Sequence, residues 1–280
     1  SYDASYLTNN GWSTLDSGLT YTKSGTYGTA TLTVSSGVVS YDLDNTRTAT
    51  QALVASQAAS DTFSVGVIDN ASSPATAHVD AVFSITGSND SPTVTAGTAS
   101  ATLVEAGGVA NGTTGTSSAS ITLTKADVDG TVSYDASYLT NNGWSTLDSG
   151  TTYTKSGTYG TATLTVSTGV VSYALDNTRT ATQALIADQS VSDTFSVGVI
   201  DNASSPATAS VNAVFSITGS NDSPTVTAGS PSATLVEAGG VANGTSGTST
   251  ASITLTKADV DGTASYDASY LTNNGWSTLD

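Results

Sequence analysis

The string S-Y-D-A-S-Y-L-T-N-N-G-W-S-T-L-D begins at Ser1, again at Ser133 and again at Ser265, which sets a period of 132 residues in a chain of 280. A period of that length exceeds the roughly 20–45 residues of a solenoid repeat and suits a whole domain that buries its own core. Whatever the unit folds into, it must do so repeatedly and join its copies end to end.

The natural seam is G-S-N-D-S-P-T, at Gly87–Thr93 and again at Gly219–Thr225. There Pro and small polar residues interrupt the alternating pattern. This places a partial repeat lacking its N-terminal part over 1–90, a complete repeat over 91–222, and a partial repeat with only its N-terminal part over 223–280. Both outer pieces are expected to be cut mid-domain from a longer chain. The C-terminal piece of one copy is also expected to complete the N-terminal piece of a neighbouring copy.

Within the complete repeat, period-2 alternation predicts strands over Thr93–Val104, Ala119–Thr124, Ala162–Val166, Val170–Leu175, Asp193–Ile200 and Ala207–Ile217. Ser167-Thr168-Gly169 reads as a hairpin connection with Gly supplying a positive φ. T-A-T-Q-A-L over Thr180–Leu185 reads as one helical turn. At least seven short strands per unit imply an all-β fold of two packed antiparallel sheets, tandem sandwiches of immunoglobulin-like type.

Twenty-three acids against six Lys and Arg give a net charge of −17. Nucleic acid and anionic lipid both require clustered cations that this chain lacks, so neither is an expected partner. No apolar run approaches the roughly 20 residues of a membrane span, and membrane insertion is not expected. With no Cys, stability must come from packing, metal ions or neighbouring repeats. The one histidine, His78, is replaced by Ser210 in the next copy, which makes it a surface strand residue rather than part of a triad. No carboxylate pair with glycosidase spacing, phosphate loop or Cys/His cluster appears, so an enzyme is not expected.

Four ordered segments of the complete repeat, G-T-Y-G-T-A-T-L-T-V, V-V-S-Y-A-L-D-N, S-D-T-F-S-V-G-V-I-D and I-T-G-S-N-D-S-P, are similar to the VCBS repeats of giant bacterial adhesins. The resemblance runs the length of the chain. It implies cadherin-like or immunoglobulin-like β-sandwiches strung in large proteins of the bacterial cell surface or secreted matrix, associated with adhesion and biofilm. Its expected partners are neighbouring repeats, other copies in a fibre or sheath, and surface polysaccharide.

Acids cluster near the seams. Asp127 and Asp129 lie in K-A-D-V-D-G, repeated as Asp259 and Asp261. Asp90 and Asp222 lie in the linkers, and Glu105 and Glu237 are the only glutamates. Calcium takes six to eight oxygens, carboxylates and turn carbonyls among them, and such clusters supply both. D-x-D-G opens like an EF-hand, but Tyr138 stands where the closing Glu belongs. An extended Thr93–Val104 carries Glu105 to the far end of its domain and the next strand returns Asp127 and Asp129 to the linker. The expected calcium set at the second junction is Glu105, Asp222, Asp259 and Asp261, with Asp193 joining from the Glu105 end. Asp90, Asp127 and Asp129 belong to the first junction, with Asp201 and Asn202 approaching it. Each ion would stiffen a joint between domains.

The competing expectation is a carbohydrate-binding array centred on Trp144 and its copies Trp12 and Trp276, with Tyr134, Tyr138 and Tyr153 nearby. Burial of Trp144 would remove it. Asn111-Gly112-Thr113 and Asn70-Ala71-Ser72 match glycosylation acceptors and read more simply as turns.

Overall fold

A computed structural model describes every residue except 15, 147, 279 and 280. The chain is all-β, built of short antiparallel strands with a few helical turns.

Nine strands form two sheets across the complete repeat. One runs in the order Thr152–Ser156, Gly160–Thr165, Val170–Leu175, Ser118–Ala126, Thr93–Ala96. The other runs Leu103–Val104, Thr208–Thr218, Ser190–Asp201, Val132–Tyr134. Alternation in the sequence becomes alternation in burial: G-T-A-T-L-T over Gly160–Thr165 is buried at every second residue, and Val170–Leu175 buries Val171, Tyr173 and Leu175. Thr165 pairs with Val170 across the expected hairpin, where Gly169 adopts φ +70°. The expected helical turn spans Thr180–Gln183.

The structure adds two strands that the alternation did not mark, Val132–Tyr134 and Thr152–Ser156, and departs from the expected elements in two further places. Thr93–Val104 is two strands rather than one, because Thr93–Ala96 ends one sheet while Leu103–Val104 crosses to pair in parallel with Thr218 and Ile217 of the other. D-A-S-Y-L-T-N-N contains a helix, Ala136–Asn141, where only a turn signal had been read. Asp135 caps it, accepting from the Ser137 and Tyr138 amides at 2.9 and 3.0 Å, and Asn142 closes it by donating to the Tyr138 carbonyl. The helix buries Leu139.

The chain clusters into two compact units. One comprises 1–95, 124–142 and 197–211; the other comprises 96–123, 143–196 and 212–280. Each gathers residues of two successive repeats around one linker.

In the first unit, Thr20–Ser24, Gly28–Thr33 and Val38–Leu43 form a three-stranded sheet, and Ala58–Ile68 pairs with Thr76–Thr86 along its whole length. Leu7, Trp12, Tyr21, Leu32, Phe63 and Val65 make the core.

In the second unit, Trp144, Tyr173, Phe195 and Phe215 pack together. Tyr173 stacks on Phe215 at 4.9 Å between centroids, and Phe195 meets Phe215 edge-on at 6.1 Å. Farther along the chain, Thr225–Ala228 pairs with Leu255–Ala258 alone.

Candidate metal centre

Both copies of K-A-D-V-D-G form a loop closed by their own lysine. Lys125 Nζ donates to the Val132 carbonyl, and Lys257 Nζ to that of Ala264. Neither ammonium is spent on the neighbouring aspartates.

At the first linker, the Asp90 amide donates to Asp129 Oδ2 at 3.3 Å, and Asn89 Nδ2 donates to Asp201 Oδ2 at 2.8 Å. Asp201 also accepts from the Ala203 and Ala207 amides, and these bonds, led by the one from Asn89, hold its carboxyl below the usual range. Asn202 Oδ1 accepts from the Thr131 amide at 2.9 Å. Gly130 is required here by close approach, since a Cβ would stand 2.8 Å from Asn202 Oδ1 and 3.0 Å from Asp127 Oδ2. Asn89, Asp129, Gly130, Asn202 and Ser204 line a cleft of about 310 Å³. Neither oxygen of Asp127 has a hydrogen-bond partner, nor does Asp129 Oδ1. Burial, then the neighbouring Asp129, pushes the Asp127 carboxyl up.

The second linker repeats the key bond: the Asp222 amide donates to Asp261 Oδ2 at 3.2 Å. Glu105 is brought to this linker as expected. It is only 1% exposed; Oε2 accepts from the Ser220 amide at 3.1 Å and Oε1 from Gln183 Nε2 at 3.3 Å. Burial pushes its carboxyl up to about 7, with the Asp222 and Asp261 charges adding to the effect. Asp222 is 4% exposed, and its Oδ2 has no partner; Asp259 Oδ1 and Asp261 Oδ1 also lack one. Burial and the nearby Asp261 and Asp259 push the Asp222 carboxyl up.

The seat of this linker includes residues that sequence reasoning missed. The Gly108 amide donates to the Asn221 carbonyl at 3.0 Å, and a Cβ on Gly107 would lie 2.7 Å from that oxygen. The glycine doublet after Glu105 was the available signal. Asn111 is a turn, as read, but it also joins Gln183 and Asn177 in a hydrogen-bond network around Glu105.

Asp193 does not join these acids. Its carboxylate accepts from the Thr158 and Tyr159 amides at 2.9 and 3.0 Å and from Tyr173 Oη at 2.6 Å, which uses both oxygens to pin the adjacent turn. Asp61 forms the same clasp with Thr26, Tyr27 and Tyr41. The alternation of S-D-T-F-S-V places Asp193 on the inward face with Phe195 and Val197, a signal that sequence reasoning did not use.

Seven buried side-chain polar atoms lack partners among the described residues, and six of them belong to Asp127, Asp129, Asp222, Asp259 and Asp261. Leaving such a group unsatisfied costs about 1–3 kcal/mol, more when it is charged. A divalent cation removes both the lost hydrogen bonds and the mutual repulsion. Among the described residues, no group of three or more His, Cys, Asp or Glu side chains is gathered closely enough to hold an ion. The acids come as pairs beside linker backbone. An ion's remaining ligands would therefore be amide oxygens such as Asn202 Oδ1, backbone carbonyls and water.

Trp144 is 2% exposed, packs on Phe195, and donates through Nε1 to the Ser196 carbonyl at 2.9 Å. Trp12 is held identically, so neither ring has a face for a sugar. His78 is an exposed strand residue stacked on Tyr6 at 4.1 Å. Among the described residues, no helix is long and apolar enough to cross a membrane. Compared with known families, the chain matches no family model, and no curated protein is significantly similar to it.

Proposed function

We propose that this chain is a structural spacer segment of an extracellular bacterial adhesin, matrix fibre or sheath. Its repeats are tandem immunoglobulin-like or cadherin-like β-sandwiches, and calcium stiffens the joints between them. The observation that carries this reading is the recurrence, at both linkers, of a linker amide bonded to the second aspartate of K-A-D-V-D-G while neighbouring buried carboxylate oxygens stay unpartnered. Trp12 and Trp144 serve the core, whereas their copy Trp276 is exposed.

Asp127 with Asp129, and Asp259 with Asp261, are the principal ligands, each pair completed by linker carbonyls, amide oxygens and water. Burial first, and then like-charged neighbours, raise the proton affinities of Asp127, Asp259, Asp222 and Glu105, and a bound dication would lower them. Extracellular calcium modules bind at about 10⁻⁴–10⁻³ M, so millimolar calcium is the relevant condition.

Thermal melts and small-angle scattering, each in calcium and in chelator, test the proposal. Calcium should raise the melting temperature and extend the scattering envelope. At about 100 times the dissociation constant the gain is about 2.7 kcal/mol. Replacing Asp127, Asp129, Asp259 and Asp261 with Asn should abolish both responses. Identical melts and profiles with and without calcium would sink the proposal.

A further inference from the structure

Two bonds made by adjacent residues fasten the first linker to the repeat that follows it. Asn89 Nδ2 donates to Asp201 Oδ2 at 2.8 Å, and the amide of the next residue, Asp90, donates to Asp129 Oδ2 at 3.3 Å. The first bond is charge-assisted and its acceptor is buried: Asp201 is 5% exposed. The second is longer and engages one oxygen of Asp129 only, leaving Oδ1 without a partner.

Asp201 is fixed within its own repeat, where it stands opposite Val132 on paired strands and accepts from the Ala203 and Ala207 amides at 3.1 Å each. Both of its oxygens are taken, so it anchors the linker and does not ligate an ion. The next residue, Asn202, accepts from the Thr131 amide through Oδ1. That oxygen and Asp127 Oδ2 both border the space that a Cβ on Gly130 would fill. Asn89 and Asn202 line one cleft with Asp129. The side chain that latches the linker therefore lies beside the oxygens assigned to calcium and is not one of them.

We propose that Asn89 is a positioning residue for the ion, an inference that rests on the calcium reading of this linker. By latching the linker to Asp201 it holds the Asp90 amide on Asp129 and leaves the other oxygen of that carboxylate free for the ion. Linker docking and calcium binding then favour each other. Coupling of this kind is reciprocal. Whatever draws Asn89 off Asp201, tension along the chain included, weakens calcium binding by the factor with which calcium strengthens the latch. The ion at this joint thus senses whether the linker is docked, besides stiffening it.

Calorimetric titration of the whole chain with calcium tests the coupling, in a parent carrying Asp259→Asn and Asp261→Asn so that only the first linker binds. Asn89→Ala should weaken calcium binding about tenfold. Asn89→Gln, which keeps an amide donor, should restore most of the affinity. Asn221→Ala, at the equivalent position of the second linker, should leave it unchanged. Spin labels on Ser60→Cys and Ser210→Cys, exposed positions on either side of the linker, should show distances that narrow with calcium in the parent and broaden with Asn89→Ala. A parent that takes up no calcium sinks the calcium reading and the latch with it. Equal affinities for the parent and Asn89→Ala overturn the coupling alone, and a loss confined to melts in chelator makes Asn89 a purely structural residue.

Discussion

Residues 1–90 and 133–222 have nearly the same sequence and fold into the same strands, yet the second copy is buried where the first is bare. Leu175 is 7% exposed and Leu43 43%; Tyr173 is 1% exposed, while Tyr41 is only half-buried. The local devices are identical: the Asp193 clasp reappears at Asp61, and the Arg179–Asp176 pair reappears as Arg47–Asp44, each at 3.2 Å. Strand and turn formation is therefore a property of the segment. Burial depends on what lies against it.

The largest test of that comparison is Leu175→Ala, expected to cost about 3 kcal/mol by cavity formation, against less than about 1 kcal/mol for Leu43→Ala. Denaturant titration followed by Trp144 fluorescence for the first, and by Trp12 fluorescence for the second, resolves the two. Equal losses would break the comparison.

Asp193→Ala should follow at about 2–3 kcal/mol, because it strands two amides and a buried tyrosine hydroxyl. Asp61→Ala should cost somewhat less, about 1–2 kcal/mol, since it strands the same amides but Tyr41 is only half-buried.

Glu105 is buried where its counterpart Glu237 is exposed, and the burial of Glu105 has a pH signature. The folded Glu105 carboxyl sits near 7 against an ordinary 4.5, so the native chain holds the proton more tightly than the unfolded one. Its contribution is complete below about 4.5 and is lost as pH rises towards 7. In chelator, the wild type should lose on the order of 1–2 kcal/mol across that window relative to Glu105→Gln. Melts recorded every half pH unit read the difference.

The smallest effect is His78→Ser, which makes the first copy more like the second. It should shift stability by less than about 0.5 kcal/mol despite the Tyr6 stack, because His78 is exposed.

The acids at the linkers were legible in the sequence because D-x-D-G and S-N-D-S-P are turn sequences placed a fixed distance apart. Their company was less legible. Glu105 was traced to the second linker by strand length alone, whereas Asp193 was assigned there on the same argument and instead closes a turn. Whether an acid in an alternating strand faces solvent, a cation or a tyrosine depends on the neighbouring sheet. Alternation reports which face the acid lies on, as with Asp193 beside Phe195, but not which group it meets there.

The sequence by itself determined the period, the all-β character and the turns, since these rest on alternation, on glycines such as Gly169 and on caps such as Asp135. Tertiary structure decided where a strand ends. I-T-L-T-K-A belongs to the nine-residue strand Ser118–Ala126 in one copy, but only Leu255–Ala258 is strand in the next. The same residues have Val170–Leu175 beside them in the first case and no such partner in the second. A strand's backbone groups are satisfied only by another strand, so its length, its burial and the proton affinity of the acids beside it are settled by the neighbour.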